Sequence, residues 1–204
     1  MIHLRALVLP MLTACAVAIV LGSSWSLLRE RIEDAQRSAR AAAFAELLPR
    51  TRFDNSPGDD TALVADPTLL GFARERRAYI ARLDGRIEAV FLPVVATDGY
   101  AGAIELLVGI DREGMITGVR VLAQHETPGM GAQIEPRHSN WLRQFIGRSL
   151  RNPEPERWAV RRDGGEFDQL SGATVTPRAV TAALKHALQY AEANPGLFGG
   201  EIHE

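Results

Sequence analysis

The sequence predicts an α+β protein: one N-terminal transmembrane helix, then a compact domain of antiparallel hairpins with peripheral helices. Three observations carry that reading. The 204-residue chain holds 23 basic and 25 acidic residues, yet Arg5 is the only charged one among the first 28. Two pairs of apolar segments flank short turn sequences, Asp84-Gly85 and Asp111-Arg112-Glu113-Gly114. Near the C-terminus, apolar residues recur at helical spacing from Pro177 to Ala193.

The first element is the charge-free run of 23 positions from Ala6 to Leu28. At ~1.5 Å per residue a helix of that length reaches about 34 Å, enough to cross a hydrocarbon core of ~30 Å. Residues 1–28 are therefore expected to form a membrane anchor in contact with lipid, and Gly22-Ser23-Ser24 permits close helix approach. Two alternatives stand beside it. A cleaved signal has an apolar region of only ~7–15 residues. A lipoprotein signal is represented by Leu12-Thr13-Ala14-Cys15, although Ala16–Leu21 after the cysteine is still apolar. Arg29, Arg31, Arg37 and Arg40 outweigh Arg5 and His3, so the positive-inside rule alone places the domain in the cytoplasm. Sequence physics leaves the side open.

Residues 29–58 are expected to form a helical stalk and linker. Ser26 to Leu48 has no Gly or Pro, Pro49 ends the helix, and Asn55–Asp60 is rich in turn residues. The folded domain is expected over 59–204. Ala78–Leu83 and Ile87–Val95 read as one hairpin, and Ala103–Ile110 with Met115–Leu122 as a second. A Pro- and Gly-rich loop (Glu126–Pro136) precedes a short helix near Ser139–Ile146, and Trp158–Arg162 reads as one more strand. In the last helix Val180, Ala183, Leu184, Ala187, Leu188 and Ala191 share one face.

Composition excludes several functions. The slightly acidic domain has no basic block to hold nucleic acid. The lone cysteine, Cys15, lies in the apolar run, which leaves the domain without disulfides or thiolate metal ligands. The histidines lack metal-ligand spacing, and no G-x-G-x-x-G follows a strand.

The chemistry concentrates at Ser171-Gly172-Ala173-Thr174-Val175-Thr176-Pro177, just before the last helix. The pattern predicts Thr176 as N-cap with Pro177 at the first helical position. Small residues leading into a helix start leave free backbone N–H groups at the positive end of the dipole, a site suited to phosphate. An ordinary capped helix has the same local features.

The motif resembles the S/T-G-A-T-x-T signature of the covalent FMN-binding domain. That domain occurs in the G subunit of the Rnf electron-transport complex and in the C subunit of the sodium-pumping NADH:quinone reductase. Gly99-Tyr100-Ala101-Gly102 with Ile104–Asp111 is similar to its opening hairpin, and Glu126-Thr127-Pro128-Gly129-Met130-Gly131 to its E-T-P-G-[LM]-G loop. Phe167-Asp168 leads into the signature. The likeness spans about 99–190, roughly half the chain, and the short length favours the Rnf branch. One departure stands out: the family's histidine two residues before the Glu is here Gln124, and His125 carries no inherited role.

The resemblance implies an electron-transfer subunit of a redox-driven ion-translocating membrane complex, without a catalytic group of its own. Thr176 would carry FMN as a phosphoester, installed from FAD by a flavin transferase using Mg²⁺. Ser171, Gly172, Ala173 and Thr174 would shape the phosphate loop. Glu126, Thr127, Pro128, Gly129 and Met130 would lie against the isoalloxazine ring. The implied partners are the other subunits of the complex, and the implied place is the bacterial inner membrane, single-pass, with the domain in the periplasm. Two rival functions differ in kind: a tethered flavin domain feeding electrons to a reductase, and a lipoprotein binding a phosphate-bearing ligand without redox chemistry.

Overall fold

Five strands make one antiparallel meander, in the order β1-β2-β3-β4-β5. They are β1 (Thr61–Asp66), β2 (Phe72–Leu83), β3 (Arg86–Ala96), β4 (Ile104–Asp111) and β5 (Ile116–Ala123). The computed structural model describes residues 42–199. The anchor expected over 1–28 lies outside them, as does the stalk through residue 41. Among the described residues no helix is long and apolar enough to cross a membrane.

Both expected hairpins form. Asp84 and Gly85 have φ 50° and 75°, the left-handed pair that lets a two-residue turn follow strand twist. Pairing between β3 and β4 is unbroken from Ala89↔Asp111 to Ala96↔Ile104. Pro93 is tolerated inside β3 because β2 pairs with it only as far as Phe91. The N–H of Val95, two residues on, points away from β4 to the carbonyl of Leu70 at 2.8 Å. Pro93 thus lacks a donor on the side where the β2 ladder has already ended.

Alternation along the strands divides the core in two. On one face Ile80, Val90, Leu92, Leu106, Val108 and Ile110 pack with Val180, Leu184, Ala187 and Leu188 of helix α1 (Val175–Ala193). All six apolar positions expected on that helix are buried. On the other face Ala81, Ala89, Phe91 and Leu107 are covered by Phe44, Leu47, Leu48 and Phe53. Residues 42–47 are helical, and Pro49, with ψ 139°, turns the chain out of the helix. The approach is close: a Cβ on Gly118 would stand 2.6 Å from the Cα of Leu47. Asn55 fixes the following turn, accepting from the Arg82 N–H at 2.8 Å and donating to the Ile80 carbonyl at 2.9 Å.

Three elements differ from expectation. β1 carries no clear strand signal in the sequence, because its alternation is short and Leu63 is 63% exposed at the sheet edge. The helix expected at Ser139–Ile146 is a 3₁₀ segment, Trp141–Phe145. Trp158–Arg162 is not a strand: Val160 makes a single bridge to Phe167, and the chain turns away through Arg161–Asp163. Its apolar residues serve an aromatic cluster instead. Phe145 stands 4.6 Å from Phe167 and 5.1 Å from Trp141, and Trp158 stands 4.7 Å from Phe167.

Two of the described carboxylates, Asp111 and Glu126, are buried inside the fold. Asp111, at the end of β4, is 2% exposed and accepts the Met115 N–H at 2.9 Å. Arg52 lies 3.9 Å away and is itself engaged by Glu88. Burial raises the Asp111 pKa, and the Met115 hydrogen bond only partly opposes it.

Candidate functional site

Three chain segments distant in sequence converge at the start of α1. They are the turn between β3 and β4, the loop that follows β5, and the segment entering the helix. Between them lies a cavity of about 320 Å³ lined by Tyr100, Glu126, Thr127, Met130, Gly131, Gly172, Ala173, Thr174, Val175 and Thr176. That volume falls at the small end of the ~300–1,000 Å³ typical of organic-ligand sites. Tyr100, Met130 and Val175 are 72%, 45% and 39% exposed, so apolar surface continues outward at its rim.

Glu126 ties the three segments together. Its side chain is 4% exposed. One carboxylate oxygen accepts the Ala101 N–H at 3.0 Å, from the turn after β3. The other accepts the hydroxyl of Thr176, in the first turn of α1. Its own N–H donates to Gln124 Oε1 at 2.5 Å, and Gln124 Nε2 donates to Glu135 at 2.7 Å. That hydrogen bond, with Arg137 beside it, holds the Glu135 carboxyl below its ordinary pKa. Gly131 is required by this junction, since a Cβ there would stand 2.5 Å from Glu126 Oε2 and 2.6 Å from Thr176 Oγ1.

The entry to α1 is held from outside. The Asp168 carbonyl accepts the Trp141 indole N–H at 2.6 Å, and its N–H donates to Gln144 at 2.6 Å. Gly172 takes φ 76°, reversing the chain before the helix. The helix begins at Val175 with Thr174 as N-cap, earlier than expected. This corrects the assignment of Thr176 as cap and of Pro177 as first helical residue. The Thr176 hydroxyl is drawn inward to Glu126 and does not cap the helix, which leaves the cap position to Thr174.

The two threonines are therefore unlike. Thr176 is 1% exposed and its hydroxyl is committed to Glu126. Thr174 is half-buried, lines the cavity and makes no side-chain capping bond. The first N–H groups of a helix have no intrahelical acceptor and carry its positive end. Arg178, also in the first helical turns, is taken up by a two-pronged contact with Asp163 at 2.5 and 2.6 Å.

Of the residues named from sequence, Glu126, Thr127, Met130, Gly172, Ala173, Thr174 and Thr176 line the cavity. Ser171, Pro128 and Gly129 are exposed and do not. Their part is to shape the turns: the Met130 N–H closes onto the Thr127 carbonyl at 3.1 Å. Tyr100, Gly131 and Val175 also line the cavity, although sequence reasoning does not single them out as site residues. The signal for the first two is their place inside the glycine-rich motifs, whereas nothing local distinguishes Val175.

Comparison with known proteins follows the same boundaries. Residues 99–189 match the FMN-binding domain family. The chain is 52% identical over 164 residues to the G subunit of the ion-translocating oxidoreductase complex of Pseudomonas aeruginosa strain UCBPP-PA14, covering 80% of this chain and 77% of that one. The chain belongs to this G-subunit family. Its likeness to the corresponding protein of Escherichia coli K12 is 46% over 154 residues, covering 76% and 74% of the two chains. For Aliivibrio fischeri ES114 it is 37% over 185 residues, covering 91% and 88%. The family expected from the three motifs is thus the one found, and the FMN-binding match contains the whole cavity.

FMN suits this member of the family on structural grounds. The lining is mostly small or apolar, the helix start offers unpaired donors, and Thr174 brings an uncommitted hydroxyl to them. The large polarizable Met130 stands over Gly172, with Cε 3.5 Å from where a Cβ would sit.

Proposed function

We propose that the protein is the electron-carrying subunit of a redox-driven ion-translocating membrane complex, with one FMN held covalently in the cavity at the start of α1. A bound flavin supplies one- and two-electron transfer, and the protein supplies position and electrostatic environment. The supporting observation is the pairing of a helix N-terminus with a cavity-lining threonine hydroxyl, inside the segment that matches the FMN-binding family. Tyr100, Glu126, Thr127, Met130 and Gly131 would wall the ring's side, and Gly172 to Thr176 the phosphate's side. No residue of the cavity is assigned a catalytic role.

The attachment point in this reading is Thr176, the last threonine of the signature, which lines the cavity from the first turn of α1. Its ester would place the phosphate beside the positive end of that helix. The test is mass analysis of tryptic peptides from protein made with a flavin transferase. Wild type should carry the mass of FMN on Thr176, and Thr176→Ala should carry none while keeping its fold. Label on Thr174 instead overturns the assignment, and unlabelled wild-type protein defeats the covalent reading.

The tethering belongs to the same proposal. The 23 uncharged residues support a single-pass anchor in the bacterial inner membrane. A periplasmic domain follows the family resemblance and opposes the arginine count. Protease digestion of intact spheroplasts tests it: a periplasmic domain is cut, and a cytoplasmic one survives until lysis. Co-purification with the other subunits in mild detergent separates a complex component from a lone tethered flavoprotein.

A further inference from the structure

Thr176, the acceptor in the covalent reading, is shut away from any donor. It lines the cavity, yet the whole residue is 1% exposed. Rotation about its Cα–Cβ bond only exchanges one buried position for another. Its hydroxyl is held by Glu126, and Gly131 packs so close that a Cβ there would stand 2.6 Å from Oγ1. Attachment makes a bond from Thr176 Oγ1 to the flavin-side phosphorus of FAD, breaks the pyrophosphate bond, and releases AMP and the hydroxyl proton. The phosphorus has to come within ~3–3.5 Å of that oxygen first. One of the two segments that meet at Thr176 therefore has to move.

The contacts decide which. The entry to α1 is braced on both sides: the main chain of Asp168 is gripped by Trp141 and Gln144, and Arg178 is held by Asp163. Pro177, Ala179 and Val180 behind it are buried. In the loop opposite, Thr127, Pro128, Gly129 and Met130 are exposed in succession. Two glutamines fasten that loop from outside the cavity. Gln133 Nε2 donates to the Gly129 carbonyl at 2.6 Å. Gln124 clasps the two ends, accepting the Glu126 N–H at 2.5 Å and donating to Glu135 at 2.7 Å. A segment with few buried side chains belongs to the low-stability end of a fold. We propose that Glu126–Gly131 is a strap that lifts to admit the flavin donor to Thr176 and closes again over the attached flavin; the inference rests on the covalent reading above.

The experiment times flavin attachment to full-length, detergent-solubilised apoprotein, made without the transferase and then given transferase, FAD and Mg²⁺. Label is read as in-gel flavin fluorescence, at a temperature well below unfolding. Gln133→Ala and Gln124→Ala each untie the strap without altering a residue of the cavity lining. One net hydrogen bond corresponds to roughly two- to tenfold in an opening equilibrium, so each variant should label faster than wild type by about that factor. Phe91→Leu lowers global stability from the far face of the sheet and should label at the wild-type rate. An unchanged or lower rate in either glutamine variant overturns the proposal, because a site that is open as it stands gains nothing from loosening. Equal acceleration in Phe91→Leu overturns it too, since the opening is then global. If Gln124→Ala fails to fold, Gln133→Ala decides alone. Failure of the covalent reading is separately visible, as wild-type protein that takes no label on Thr176.

Discussion

Thr176 donates its hydroxyl to the Glu126 carboxylate across 50 residues of sequence, with both side chains buried. The contact joins the loop after β5 to the first turn of α1 and gives the Thr176 hydroxyl a buried acceptor. Much of what can be tested about this protein follows from how little room surrounds that pair.

Gly131→Ala should disrupt it directly. The new Cβ would stand 2.5 Å from Glu126 Oε2 and 2.6 Å from Thr176 Oγ1, closer than real contacts allow. Overpacking of this kind costs roughly 1–3 kcal/mol. Thermal unfolding should show a lower Tm, and FMN incorporation should fall with it. An unchanged Tm would mean that the junction is looser than its geometry.

Gly172 is constrained by backbone and not by space. Its φ of 76° is left-handed, yet a Cβ would meet only the Met130 side chain, at 3.5 Å and beyond. Gly172→Ala should therefore cost about 1–2 kcal/mol in denaturant unfolding, whereas Gly172→Asn should cost less because Asn tolerates that conformation. Equal losses for the two would point to crowding instead.

Phe145 anchors the aromatic cluster that braces the entry to α1, and it is fully buried between Trp141 and Phe167. Phe145→Ala should lower unfolding free energy by about 3–5 kcal/mol. Trp141 also holds the Asp168 carbonyl, so the looser cluster should make 168–174 more accessible in hydrogen exchange. Protection unchanged there would separate the cluster from the site.

Asp111 makes stability depend on pH. Burial raises its folded-state pKa above the ordinary value of 3.8. The folded protein then binds that proton more tightly than the unfolded chain does. The contribution is complete below pH ~3.8 and is lost as pH rises through the folded-state pKa. Asp111→Asn keeps an acceptor for the Met115 N–H and removes the titration. The variant's stability relative to wild type should rise with pH across that window, as read from urea midpoints. Glu135 and Asp163, held below their ordinary values, act in the opposite sense and cancel in the difference.

The hairpins were legible in the sequence because their signals are local. Asp84-Gly85 needs two left-handed residues, and the flanking apolar runs admit one register. The face of α1 was legible for the same reason, since helical spacing alone assigns Val180, Leu184 and Leu188 to the core. β1 and the Trp158–Arg162 segment were not, because short apolar stretches take their state from what they pack against. Val64 found the edge of the sheet, while Trp158 found Phe145 and Phe167.

The site divides along the same line. Glycine-rich motifs and their order determined by themselves that Glu126, Met130, Gly172 and Thr174 belong to one functional region and to one family. Tertiary structure alone decided which threonine is buried, which carboxylate its hydroxyl meets, and where the helix begins. The physical reason is range. Turn conformations and helical faces are set by neighbours a few residues apart, whereas the fate of the Thr176 hydroxyl depends on an acceptor brought to it by a five-stranded sheet.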